Sequence, residues 1–143
     1  MPPIYINTEN DPKDKIYDGS KAGSVSADVE SKIQTTLRKL INANPGFTTN
    51  AIANAKGYTI RLKIATLTVE NNNTSCSLSG EILLYPKSFS NKGASDQMLS
   101  TGMTGKAQAS GADKQAILDC VEAITESLVK KAMPIMTADM AKR

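Results

Sequence analysis

The chain of 143 residues has no histidine, no tryptophan, only two cysteines and an aromatic content of 4%. Each shortage excludes something. Without an imidazole, the usual general base near neutral pH and the commonest metal ligand are both missing. A zinc shell would need carboxylates to complete it around two cysteines, so no metal site and no cofactor is expected. A hydrolase triad has no base to draw on, and nothing would hold the carboxylates of "DPKDK" or "TADM" paired inside a pocket. The expectation is therefore a protein that is not an enzyme.

Long apolar runs are also lacking. No stretch reaches the roughly 20 residues of a membrane-spanning helix, and "MPPIYINTEN" has neither the basic start nor the apolar centre of a signal peptide. Two readings stay open: a cytosolic protein, or the mature part of an exported one. The glycines of "GMTG" and "SGADKQ" lack the spacing of a phosphate loop. "NNT" and "NTS" match the glycosylation pattern, but an Asn-rich run of this kind is first of all a hairpin turn.

What is present suits one domain over residues 1–143, with a core built from Leu, Ile, Val, Ala and Met. Seventeen basic and fourteen acidic residues give a net charge of +3 and a pI near 8.8, a mild excess that points to no polyanion by itself.

Along the chain, "PIYINT" reads as a first strand with Ile4 and Ile6 on one side and Tyr5 on the other. Residues 9–24 form a polar loop. A helix capped by Ser24 or Ser26 follows, with Val29, Ile33, Thr36, Leu37, Leu40 and Ile41 as its apolar stripe, and "NANPGF" ends it. In "YTIRLKIATLTVE" the alternation of Tyr58, Ile60, Leu62 and Ile64 changes phase to Leu67 and Val69, which predicts a bend near Ala65. The turn "NNNT" leads into a strand with Cys76, Leu78, Ile82 and Leu84 on one face. Residues 86–97 form a second polar loop, with Phe89 as an anchor. "MLSTGMTGKAQASG" is a weaker strand whose small residues permit close approach of a partner. A last helix, capped at Ser110 with Asp113 as its box partner, carries Ile117, Cys120, Val121, Ile124 and Leu128. Pro134 predicts a stop or kink, with 134–143 as a tail and Met133, Met136 and Met140 either packed locally or lining a soft apolar surface.

The order β-α-β-β-β-α, with one apolar stripe per helix and one apolar face per strand, predicts an α/β (α+β) two-layer sandwich. It would have a mostly antiparallel sheet of about four strands and both helices on one face. Cys76 and Cys120 would then point into the same layer, either as a disulfide or as two buried thiols. Arg61 and Lys63, with Lys56 and Lys106, form a candidate basic patch. A nucleic-acid surface would add aromatic platforms, and Tyr58 belongs to the opposite face.

The succession of "LRKLINANPGF", "YTIRLKIATL", "CSLSGEILLYP", a small-residue strand and a closing helix resembles the compact α/β domain of bacterial envelope lipoproteins. Among these are the outer-membrane activators of penicillin-binding proteins, the curli-secretion lipoproteins and the amino-terminal domain of the Tol translocation protein. The resemblance implies a periplasmic, non-enzymatic protein-binding or assembly module. Its partner would be another envelope protein or copies of itself, and membrane contact would come only through an anchor outside this chain. A disulfide agrees with that compartment. The binding face expected is the outer sheet surface around Arg61, Lys63, Glu81 and Tyr85, or the exposed strand edge. Two other readings compete: a structural subunit of a virion, pilus or secretion machine joined through a sheet edge, and a nucleic-acid-binding α/β domain. No small-molecule substrate is expected.

Overall fold

Alternation of inward apolar and outward polar residues builds the central hairpin of the sheet, formed by β3 (Gly57–Glu70) and β4 (Asn73–Tyr85). The computed structural model describes residues 3–8, 26–50, 56–85 and 98–142. The polar loops expected at 9–24 and 86–97, Phe89 and the alternative cap Ser24 lie outside the described residues, as do the side chains of Lys63, Leu99 and Thr101. Asn71 and Asn72 close the hairpin with φ values of 51° and 59°. Glu70 opposes Asn73, so the loop has two residues, both left-handed. This is the type I′ geometry whose twist matches that of the strands, and asparagine tolerates it well.

The phase change in the sequence is a bulge. Ile64 opposes Leu78 and Thr66 opposes Ser77, which leaves Ala65 as the extra residue. Because of it, Leu67 and Val69 continue the inner face begun by Tyr58, Ile60, Leu62 and Ile64.

The sheet has five strands in the order β2-β1-β3-β4-β5, where the sequence predicts about four. β5 (Met98–Ser110) pairs antiparallel with β4, and β1 (Ile4–Asn7) lies parallel to β3 on the other side. The additional strand is β2 (Phe47–Thr48), parallel to β1. Two residues carry no alternation to read. The short strand is fixed instead by its neighbours, with Ile4 N–H donating to the Gly46 carbonyl at 2.9 Å and Phe47 buried.

Helices α1 (Ser26–Ala43) and α2 (Lys114–Met140) contribute to one core cluster with the inner faces of the strands, as the two-layer prediction requires. From α1 the buried residues are Val29, Ile33, Thr36, Leu37 and Ile41, and Leu40 packs against their margin. Between the helices, Lys32 Nζ meets Glu122 Oε2 at 2.7 Å and Lys114 Nζ meets Asp28 Oδ2 at 2.9 Å. The hydrogen bond to Glu122 raises the Lys32 pKa.

Both ends of α2 differ from the sequence reading. Ser110 still belongs to β5, and the cap is Asp113, whose Oδ1 accepts from Ala116 N–H at 2.9 Å. Gly111, at φ 107°, turns the chain between strand and helix, and that turn moves the cap three residues onward. At the other end the helix runs through Pro134 to Met140. Proline removes one backbone donor and crowds the preceding turn, but Pro134 lies on the exposed side. Fully buried Met136 and the Tyr58 hydroxyl, which donates to Asp139 Oδ2 at 2.7 Å, hold the turns beyond it. Residues 134–140 are therefore helix, and Met133, Met136 and Met140 pack locally against the core.

Two glycines mark close approaches. A β-carbon on Gly57 would land on the backbone carbonyl of Tyr5, and one on Gly105 would land on the terminal methyl of Ile124. A main-chain carbonyl in a sheet cannot step aside, whereas a side-chain methyl can turn partly away. Gly57→Ala is therefore expected to cost about 3 kcal/mol and Gly105→Ala about 1–2 kcal/mol in urea unfolding, with Ile124→Val recovering part of the second loss only. Tyr58→Phe, which removes the hydroxyl that donates to Asp139, is expected to cost about 1 kcal/mol in the same assay.

Candidate functional site: the outer sheet face and the thiol pair

Both helices lie on one side of the sheet, so the other side is built from the outward residues of each strand. On β3 these are Thr59, Arg61, Thr66, Thr68 and Glu70; on β4 they are Ser75, Ser77, Ser79, Glu81, Leu83 and Tyr85. β5 adds Thr104, Lys106 and Gln108, which oppose Ser79, Ser77 and Ser75. Most of this surface consists of hydroxyl-bearing side chains, and Thr66 Oγ1 and Ser77 Oγ share a hydrogen bond of 2.6 Å across two strands.

Of the four residues predicted for a partner face, Arg61, Glu81 and Tyr85 share this side, and the side chain of Lys63 lies outside the described residues. Arg61 and Glu81 are register partners, with Nη1 and Oε2 3.9 Å apart and each side chain about one-third exposed (30% and 36%). At that separation and exposure the pair adds little stability, but it does oppose the Arg61 charge. Lys63 stands one alternation further along, paired with Ser79. Tyr85 lies at the far end, where its ring meets Tyr5 edge-on with centroids 5.1 Å apart. Tyr5 is a member of this face that the sequence reading did not single out, although its position opposite Ile4 and Ile6 is the signal that would have found it.

Among the described residues, the candidate basic patch gains no aromatic platform from β3. Tyr58, the aromatic nearest Arg61 along β3, is fully buried on the inner face, and Lys106 opposes Ser77, beyond the Lys63–Ser79 rung. Among the described residues, no group of three or more Cys, Asp or Glu side chains is placed to hold a metal ion. No described helix is long and apolar enough to cross a membrane.

On the inner side, Cys76 on β4 and Cys120 on α2 come together as free thiols, 2% and 0% exposed. Cys120 Sγ lies 3.3 Å from the Ala107 carbonyl and 3.9 Å from that of Thr74. Ala107 is the register partner of Cys76, so the Cys120 sulfur stands over the Cys76–Ala107 rung. By donating to Cys120 and through burial, Cys76 is pushed far above the ordinary thiol range; accepting that bond moves Cys120 the opposite way.

The sequence matches no protein-family model and no curated protein sequence. Solved structures do resemble it. One is a Caulobacter crescentus protein described as a lipoprotein, with a TM-score of 0.46 and 12% identity over 90% of this chain and 91% of that one. A second is the dodecameric PelC of Paraburkholderia phytofirmans, with a TM-score of 0.47 and 9% identity over 94% of this chain and 86% of that one. A third is a minor lipoprotein of Acinetobacter baumannii, with a TM-score of 0.43 and 10% identity over 97% of this chain and 92% of that one. The likeness lies in the overall course of the chain, and no residue role or activity is carried across it.

Proposed function

We propose that the protein is a non-enzymatic binding module of the bacterial cell envelope, working in the periplasm, and that the outer sheet face is where it takes a partner protein. The observation that carries this reading is the one-sided architecture. Among the described residues no element packs over the face that holds Arg61, Glu81, Leu83 and Tyr85, while the buried apolar stripes of both helices are used on the other side and Ile135 of α2 stays exposed. At its Tyr85 end the face offers the half-buried side chains of Tyr85 and Leu83, with the Arg61–Glu81 pair on the same face. Aromatic anchors next to arginine are the composition that protein interfaces favour. The envelope part of the reading rests on the element order shared with envelope lipoproteins and on a cysteine pair suited to an oxidising compartment.

A second reading, assembly with further copies of the chain, is favoured by one specific feature. β5 is an edge strand of 13 residues, without proline and with Lys106 as its single charge. Such an edge is a template for strand addition.

Substitution on the face should leave the fold intact, with Arg61→Ala and Glu81→Ala each changing the unfolding free energy by less than about 1 kcal/mol. A photoreactive side chain at Arg61, Glu81 or Tyr85 is expected to capture a second polypeptide in bacterial cells exporting the protein, while the same group at Lys130, on the exposed side of α2, does not. Adducts of twice the chain mass, with a concentration-dependent elution volume, would select self-assembly. Absence of adducts from the sheet face, or equal capture from Lys130, would overturn the binding role of this face.

A further inference from the structure

We infer that Cys76 and Cys120 are a disulfide-forming pair, and that their oxidation joins β4 covalently to α2 through the centre of the molecule. The bond would lie beneath the inner face of the sheet, so it stands or falls separately from any role of the outer face.

The geometry argues for it from two directions. First, the chain has only these two cysteines, one on a strand and one on a distant helix, and folding sets the Cys120 sulfur over the rung that pairs Cys76 with Ala107. Second, the position of Cys120 is fixed by its surroundings. Its sulfur stands 3.3 Å from the carbonyl of Ala107, the residue directly opposite Cys76, and 3.9 Å from the carbonyl of Thr74, two residues before Cys76. A side chain located by both strands next to Cys76 has little distance left to travel to a bond.

Pairing by chance among buried small residues is the competing explanation, since free cysteine is commonly buried. It does not account for the local construction. The α2 entry is tied to the hairpin beside Cys76 by Gly111 N–H donating to Asn72 O at 2.8 Å and Thr74 Oγ1 donating to Gly111 O at 3.0 Å. The same short segment therefore sets the register of α2 over β4, and with it the meeting of the two sulfurs.

The reaction needs an oxidant, and a small-molecule or protein disulfide supplies it. The Cys120 thiol loses its proton to solvent and attacks one sulfur of the donor disulfide. A mixed disulfide forms and the first donor thiolate leaves. Cys76, deprotonated in turn, attacks the Cys120 sulfur and expels the second donor thiolate, which is protonated as the first was. Two protein thiols are oxidised and one donor disulfide is reduced to two thiols. Exposures of 2% and 0% leave no room for a donor in the closed protein, so exchange takes place during folding or when α2 lifts from the sheet.

The experiment is to refold the full chain from denaturant in a buffer of oxidised and reduced glutathione, quench in acid, and measure intact mass and alkylatable thiols. The expected product is a monomer lighter by two hydrogens, with no thiol alkylated under denaturing conditions and with the Cys76 and Cys120 peptides joined in a non-reducing digest. Its melting temperature should exceed that of the reduced protein by roughly 10 °C, and Cys76→Ala and Cys120→Ala should each abolish the response to reductant. Folded, reduced protein should oxidise at least tenfold more slowly than refolding chains. Two free thiols after oxidative refolding to the native fold, or bonds formed only between chains, would overturn the inference. A bridged product that melts below the reduced protein would do so as well.

Discussion

The position of α2 over the β4–β5 half of the sheet is the constraint on which most of the molecule depends. A helix normally stands about 10 Å from a sheet, held off by the side chains between them. Along β5 the inward residues after Met103 are Gly105, Ala107 and Ala109, and at Gly105 the Ile124 methyl occupies the space of a missing side chain. Small residues on the strand and larger ones on the helix thus interdigitate. The largely aliphatic core can close around them, with Tyr58, Phe47 and Met136 filling the β1–β3 side.

Seating α2 laterally does not fix it lengthwise. That is done by polar contacts at its two ends. Near the N-terminus, the hairpin turn and the Gly111 turn are joined by hydrogen bonds, and Asp113 caps the first turn. Near the C-terminus, the phenol of Tyr58 reaches Asp139 from a fully buried ring. A buried hydroxyl needs such a partner, because leaving it unsatisfied costs about 1–3 kcal/mol. Between these anchors the helix has no freedom to slide by a turn, and Cys120 falls where Cys76 can meet it. The juxtaposition of the thiols follows from the way the helix is held.

How far the sequence could be read follows from which forces leave a periodic trace. The β3 and β4 strands, the bulge at Ala65, both helix stripes and the one-sided two-layer packing were legible, because burial of one face imposes a period on the residues that serve it. That Arg61, Glu81 and Tyr85 lie on one side of the sheet was also legible, since strand alternation alone puts Arg61 beside Glu81 and Tyr85 at the far end. Three things were not. β2 is two residues long, and two residues have no period. The start of α2 depends on a left-handed Gly111, and its backbone angle is a tertiary matter that a capping pattern at Ser110 does not reveal. The passage of α2 through Pro134 depends on Met136 and Asp139 finding partners on distant strands, a gain that outweighs a local penalty of about 3 kcal/mol. In each case a long-range contact overrode a local preference.

The remaining asymmetry concerns the two faces of the sheet. A face left to water is stable only if its side chains are content there, and the serines and threonines of β3 and β4, with Lys106 and Gln108 of β5, meet that condition over most of the surface. The Tyr5–Tyr85 end departs from it. There Tyr5 is 8% exposed although it points away from both helices, and Tyr85 and Leu83 are half-buried. The apolar area on the outer side is thus gathered at one end of the face, next to the Arg61–Glu81 pair, while the opposite end near the Asn71–Asn72 turn is polar. Desolvating an aromatic cluster is favourable by about 25 cal/mol per Å², whereas desolvating a bed of hydroxyls has a cost unless each finds a new hydrogen bond. With Tyr5 already out of water, a protein settling on this face would gain apolar burial mainly from Tyr85 and Leu83, and the charged pair on the same face would supply the direction in which the contact is read.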